Sequence, residues 1–240
     1  MRHLILVIVI LLQCRFVSAQ EVIKIGILMP GGVNKQDRVK GLHTLIMETV
    51  KRTNIDLNAT TDYVKIDRGI YNYPFLIMVG DGGFVLNAVE KRYLRDYLQL
   101  GGTLFLDNSG GVKGNSFDTS VRRIFREIFP NLQFEPVTSE SVIYRTFYLL
   151  KTPSGRVITQ PFLEGLKIGG RYGVIYSMND LLGAMVKDEH GQWVFDVHPG
   201  GERQREFAIR MGINILMYSL TMDYKDDQVH RPFIIRREQY

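Results

Sequence analysis

The chain has 240 residues, 45% of them apolar and 23% charged, which is enough for one large α/β domain or at most two small ones. That composition excludes wholesale disorder, a collagen-like chain and a coiled coil. The formal charge is +5, but Arg2 and Arg15 fall in a leader segment. The 28 remaining basic side chains against 25 acidic ones, a net +3, make no nucleic-acid footprint.

Arg2 and His3 precede an unbroken apolar run, Leu4 to Leu12, and Val17-Ser18-Ala19 follows shortly after. A basic start, a short apolar core and small residues at the minus-three and minus-one positions predict a secretory signal peptide over residues 1–19. The mature chain is then exported, to the periplasm or the extracellular space. The run is too short to span a bilayer as a helix, which needs about 20 apolar residues; an uncleaved N-terminal anchor is the alternative reading. Gln13 stands before Cys14, where a lipoprotein needs a small residue. Cys14 is the one cysteine. A mature chain from Gln20 therefore has no disulfide, no thiolate nucleophile and no cysteine-bound metal.

Val22 to Leu28 reads as a buried strand closed by Met29-Pro30-Gly31-Gly32. Val39, Leu42, Leu45, Ile46 and Val50 recur at helical spacing over 36–51. A polar loop over 54–61 leads to Tyr63–Asp67, which alternates like a strand. Phe75 to Val79 is the most apolar strand, followed by Gly80-Asp81-Gly82-Gly83. Asn87 to Leu100 is helical and stops at Gly101-Gly102. Thr103 to Leu106 then delivers Asp107-Asn108-Ser109-Gly110-Gly111. A helix follows over 118–129, then short strands and a surface excursion over 132–158. Tyr172–Ser177 returns as a core strand, and a last amphipathic helix covers 206–220. The charged tail, residues 223–240, reads as extended, packed on or flanking one domain over 20–222.

Alternating strands and helices at this spacing imply parallel pairing through right-handed crossovers, hence a three-layer α/β/α sandwich with a mostly parallel sheet. Continuously apolar strands fit a sheet covered on both faces. In such sheets ligands bind beyond the carboxyl ends of the strands. The ligand-binding candidates are therefore Gly31, Gly32, Gly80, Gly82, Gly83, Asn108, Ser109, Gly110, Asn179 and Asp180. Asp107 and Asp81 are the catalytic candidates, since carboxylates supply proton transfer or a hard-cation site.

The same residues have plainer readings. Gly-Gly after a strand makes tight turns, and Asp favours helix N-caps. No phosphate-binding P-loop and no G-x-G-x-x-G is present. Ser109 lacks a G-x-S-x-G elbow and an identifiable base. His43, His190, His198 and His230 are not at metal-ligand spacing. The stretch 187–201 reads as an exposed hairpin, with a lid over the rim as the sharper alternative. No cofactor is required; a divalent cation on Asp81, Asp107 and Asp180 is the one the residues could hold.

Several strings together resemble a known bacterial family. They are Tyr73-Pro74-Phe75-Leu76-Ile77-Met78-Val79-Gly80, Gly101-Gly102-Thr103-Leu104-Phe105-Leu106-Asp107, Phe162-Leu163-Glu164-Gly165, Val174-Ile175-Tyr176-Ser177-Met178-Asn179-Asp180-Leu181 and Gly212-Ile213-Asn214-Ile215-Leu216-Met217-Tyr218-Ser219-Leu220-Thr221. The tail strings Tyr224-Lys225-Asp226-Asp227-Gln228-Val229-His230 and Pro232-Phe233-Ile234 look familial as well. The family is the one called domain of unknown function four-one-five-nine. The resemblance implies a fold similar to the class I glutamine amidotransferase-like (flavodoxin-like) group and no established activity. By chain order Gly82-Gly83 would match that group's oxyanion-stabilising glycines, and Asp107-Asn108 would fall near its cysteine. Neither can replace a thiolate, so glutamine hydrolysis by that mechanism is excluded. The family's histidine after the strand glycine is Asp81 here, and Ser141-Val142 stands where a His-Pro is expected.

Two functions follow as expectations. The first is an exported domain that binds a ligand or protein partner at the strand-end rim, with no nucleic acid and no stable membrane span. The second is a hydrolase-type enzyme using Asp81, Asp107 and Asp180, with or without a divalent cation.

Overall fold

A computed structural model describes residues 23–30, 36–53 and 59–237, with side chains described up to Thr221. Residues 1–19, read from sequence as a signal peptide and including Cys14, and Gly31 and Gly32 after the first strand lie outside the described residues.

Seven strands form one mixed sheet in the order β2-β1-β3-β4-β7-β6-β5. The strands are β1 (Ile23–Leu28), β2 (Ala59–Val64), β3 (Phe75–Gly80), β4 (Thr103–Asn108), β5 (Glu135–Pro136), β6 (Glu164–Ile168) and β7 (Arg171–Ser177). β1 pairs in parallel with β2 and β3, β3 with β4, and β4 with β7. The antiparallel β6 and β5 extend the far edge. Gly169 and Gly170, at φ of 60° and 84°, form the two-residue turn that folds β6 back on β7. Only residues that tolerate positive φ close a hairpin of this length.

Among the described residues four α-helices accompany the sheet: α1 (Gln36–Arg52), α2 (Ala88–Gln99), α3 (Ser116–Ile128) and α4 (Gly201–Arg237). α2 begins in a capping box, in which Asn87 accepts from the Val89 and Glu90 N–H groups while Glu90 accepts from the Asn87 N–H. Alternate residues of each central strand enter different cores, as the two-residue period of a strand requires. Ile25, Ile77, Phe105 and Ile175 pack with Val39, Leu42 and Leu45 of α1 and with Met211 and Ile215 of α4. Leu76, Met78, Leu104 and Tyr176 pack with Leu94 of α2 and with Phe117, Val121 and Ile124 of α3. This explains why β3 and β4 are apolar at nearly every position.

Two elements differ from the sequence expectation. The second strand starts at Ala59 rather than Tyr63, and pairs Ala59 through Val64 with β1. As the edge strand it needs little apolar surface; Tyr63 is 58% exposed, so the polar Ala-Thr-Thr start was legible only as loop. The last helix does not end at Leu220, and the segment read as an extended tail continues it as helical backbone to Arg237. No glycine or proline occurs between Ile213 and Arg231 to stop it.

β1 is followed by a helix in one core and β3 by a helix in the other, with β2 and β3 on opposite sides of β1. The topological switch point therefore lies between β1 and β3, and β4 is the next strand along.

Candidate functional site

The exits of β3, β4 and β7 lie on one rim, because Val79 is level with Asp107, Gly80 with Asn108, and Asp107 with Ser177. The parallel arrangement expected from sequence places Asp81 and Asp107 at the same end of the sheet. What each residue does there differs sharply.

Asp107 is fully buried. Its Oδ1 accepts the Leu181 N–H at 2.9 Å, and its Oδ2 accepts the Leu182 N–H at 2.8 Å. Burial, and secondly the negative charge of Asp180, push its pKa up to about 7; the amides of Leu182 and Leu181 pull the other way. Asp180 is also fully buried and sits at φ +50°, a left-handed conformation that Asp tolerates better than most side chains. Its Oδ1 accepts from Arg38 Nε at 3.0 Å, and its Oδ2 from Arg156 Nε. Burial raises its pKa, against the pull of Arg38 and Arg156. Arg38 is itself only 7% exposed, with its guanidinium 3.8 Å from the centroid of the Phe195 ring. Gly183 is glycine because a Cβ there would lie 2.3 Å from an Asp180 carboxylate oxygen.

Asn179, also buried, accepts from the Thr159 and Gln160 N–H groups at 2.9 Å each and donates to the Gln160 carbonyl at 2.8 Å. Asp107, Asn179 and Asp180 thus tie three segments to the exits of β4 and β7: the turn after β7, the excursion near 156–160, and the start of α1. Their polar atoms are engaged by the protein itself.

The exits of β3 and β4 are built otherwise. The Ser109 N–H donates to the Gly80 carbonyl at 2.9 Å. The Asn108 amide oxygen accepts from Asn115 Nδ2 at 2.7 Å and from the Gly110 N–H at 3.1 Å, and its Nδ2 donates to the Val112 carbonyl at 3.0 Å. A Cβ on Gly110 would meet Asn115 Nδ2 at 2.6 Å and Asp81 Cβ at 3.2 Å, so this glycine lets Asp81 close onto the Asn108–Asn115 pair. Asp81 and Gly82 are half-buried and Gly83 is exposed. Ser120 Oγ accepts the Phe84 N–H at 3.0 Å, and Arg123 donates to the Phe84 carbonyl at 2.9 Å, fixing the far end of this loop on α3. In the middle, Ser109 is 3% exposed and its Oγ has no hydrogen-bond partner among the described residues.

The structure therefore brings Asp107 together with Asp180, and Asp81 together with Asn108, Ser109 and Gly110. Among the described residues no group of three or more His, Cys, Asp or Glu side chains could hold a metal ion. The expected cation set of Asp81, Asp107 and Asp180 does not assemble in that form. In the 187–201 stretch, Lys187 and Trp193 pair across as a hairpin, and its Phe195 covers Arg38.

Arg38, Arg156 and Asn115 were missed from sequence. Arg38 carried a signal: a cation in the first turn of a helix opposes the helix dipole and calls for a carboxylate partner. Arg156 lies in irregular backbone and carried none.

The site is thus a glycine-, asparagine- and aspartate-lined rim at the carboxyl ends of a mostly parallel α/β sheet. The profile of the family described as Domain of unknown function (DUF4159) matches residues 23–220, and the chain belongs to that family. A thua-like protein of known structure from Bacteroides uniformis is similar over 84% of this chain and 94% of its own, with 10% identity and a TM-score of 0.38. No curated protein matches. Among the described residues no helix is long and apolar enough to cross a membrane.

Proposed function

We propose that this chain is an exported binding domain: a three-layer α/β/α sandwich of the class I glutamine amidotransferase-like group without the cysteine nucleophile. It takes a small polar ligand, or a segment of a partner protein, at the exits of β3 and β4. The observation that carries the reading is Ser109. A buried hydroxyl left without a partner is uncommon in folded proteins and marks a place where a group from outside belongs. It sits next to the topological switch point, where open α/β sheets place their ligands. Its backbone N–H bonds the Gly80 carbonyl, and the Asp81, Gly82 and Gly83 that follow remain partly or fully exposed. Export rests on the signal pattern of residues 1–19.

The hydrolase reading keeps one supporting observation, Asp107, whose pKa near 7 suits acid–base work at neutral pH. Against it, both oxygens accept backbone amides and none of the residue reaches solvent.

A thermal-shift screen separates the two. Small polyols, amides and carboxylates are tested beside Mg²⁺, Mn²⁺, Ca²⁺ and Zn²⁺; a ligand at a hundredfold excess over its Kd stabilises the fold by about 2.7 kcal/mol. The binding reading expects an organic compound to raise the melting temperature of the wild type and to lose that effect in Ser109→Ala. A shift produced by a divalent cation and abolished by both Asp81→Asn and Asp107→Asn would establish the hydrolase-type site instead. Intact-mass analysis of exported protein should show a chain starting near Gln20; Met1 retained in the membrane fraction contradicts export.

A further inference from the structure

Away from the rim, a cavity of about 330 Å³ opens beside α3 and β6. Its apolar lining includes Phe125, Leu132, Phe134 and Leu166, and Arg122 and Arg126 of α3 complete it. The volume lies at the small end of the range for small-molecule sites, about 300–1,000 Å³, and suits one ring with a short polar arm. Phe125 and Phe134 meet edge to face, with centroids 5.6 Å apart and planes at 77°, and the Arg122 guanidinium lies 5.9 Å from the Phe134 centroid. Phe134 also meets Tyr176, with centroids 5.8 Å apart, and a further ring on the cavity side extends this aromatic set.

The two arginines are not equivalent. Arg122 donates through Nε to Asp118 at 2.9 Å and through Nη2 to Glu164 at 2.8 Å, and both carboxylates are buried. Its charge is already met twice over. Arg126, one turn further along α3, is exposed and has no hydrogen bond or ion pair among the described residues. A cavity of mixed polar and apolar lining with one unmet guanidinium at its edge fits an anion, and a guanidinium fork matches a carboxylate by two parallel hydrogen bonds. The charge count limits that anion. Arg122, Arg126, Asp118 and Glu164 sum to zero, and the carbonyl end of α3 adds negative potential. A single negative charge is accommodated and a double one is disfavoured.

We propose that this cavity binds a small aryl monocarboxylate, its ring against the Phe125–Phe134 pair and its carboxylate on Arg126. The inference stands apart from the rim reading and shares no residue with it.

The test uses phenylacetate titrated into the full mature protein, followed by methyl NMR and calorimetry. Phenylacetamide removes the charge, acetate removes the ring, and phenyl phosphate supplies a dianion. Saturable phenylacetate binding is expected, with shifts at the Leu132 and Leu166 methyls. Affinity should fall about tenfold or more, or about 1.4 kcal/mol, in Arg126→Ala, and by a similar factor for each of the three analogues. Arg126 is exposed, so the variant should fold; an unchanged urea midpoint checks this. Ser109→Ala should leave the titration unaltered. No saturation by about 20 mM, equal affinity in Arg126→Ala, equal or tighter binding of phenyl phosphate, or shifts confined to the β3–β4 exits would overturn the proposal.

Discussion

The two halves of the rim use similar residues for opposite ends. At the exits of β4 and β7, Asp107, Asn179 and Asp180 bond to backbone amides and arginines on every side. At the exits of β3 and β4, Asp81 stays partly open and Ser109 is buried with its hydroxyl unmet. The first half is tied shut by acids that, in a sequence, look like chemistry. The second is left incomplete by a neutral hydroxyl that looks like nothing in particular. Carboxylates at strand ends therefore separate into structural and functional ones only when their partners are known.

The largest effect expected from breaking this contrast is at Asp180. Asp180→Asn keeps a residue that tolerates positive φ but takes the buried counter-charge from both Arg38 and Arg156, leaving Arg38 only the half-exposed Asp37 at 3.0 Å, and should cost about 3 kcal/mol in urea unfolding. Asn179→Ala deprives the buried Gln160 amide and the Thr159 amide of their acceptor and should cost about 1–3 kcal/mol by the same measurement.

Asp107 gives a smaller effect with a pH signature. Its pKa lies near 7 in the folded state against 3.8 ordinarily, so the folded protein holds this proton more tightly than the unfolded chain. That contribution is fully present below about pH 4 and lost as the pH rises through about 7. The stability deficit of Asp107→Asn relative to wild type should therefore shrink from pH 4 to pH 7.5, as followed by urea midpoints. A deficit that grows with pH would mean the carboxylate is held charged. Smallest of all is Ser109→Ala. Removing a hydroxyl that has no partner among the described residues should change stability by less than about 0.5 kcal/mol.

Much of the fold was legible. Continuous apolar runs marked β1, β3 and β4, the 3.6-residue spacing marked α1 and α2, and Gly101-Gly102 marked the stop after α2. The β6–β7 hairpin had a readable signal in Gly169-Gly170, but β6 was not assigned from sequence. β2 was displaced because an edge strand tolerates the polar composition of a loop. The tail was read as extended from its charge, although neither glycine nor proline interrupts the helical backbone between Gly212 and Pro232. The rim's membership was legible from strand ends alone, since parallel strands deliver their exits to one side. The division of labour within it was not. It depends on Arg38 and Arg156, 142 and 24 residues from Asp180 in sequence, and no local pattern encodes such separations.

The central claim is that Ser109 awaits a partner from outside the chain. A crystal structure of the mature protein at about 1.5 Å, with hydroxyl geometry judged by contacts of about 2.7–3.2 Å, tests it most directly. The account predicts ligand or solvent density bonded to Ser109 Oγ and extending toward the half-exposed Asp81 and Gly82. A hydroxyl turned onto a protein acceptor, or one bonded to a single sealed water, would contradict it.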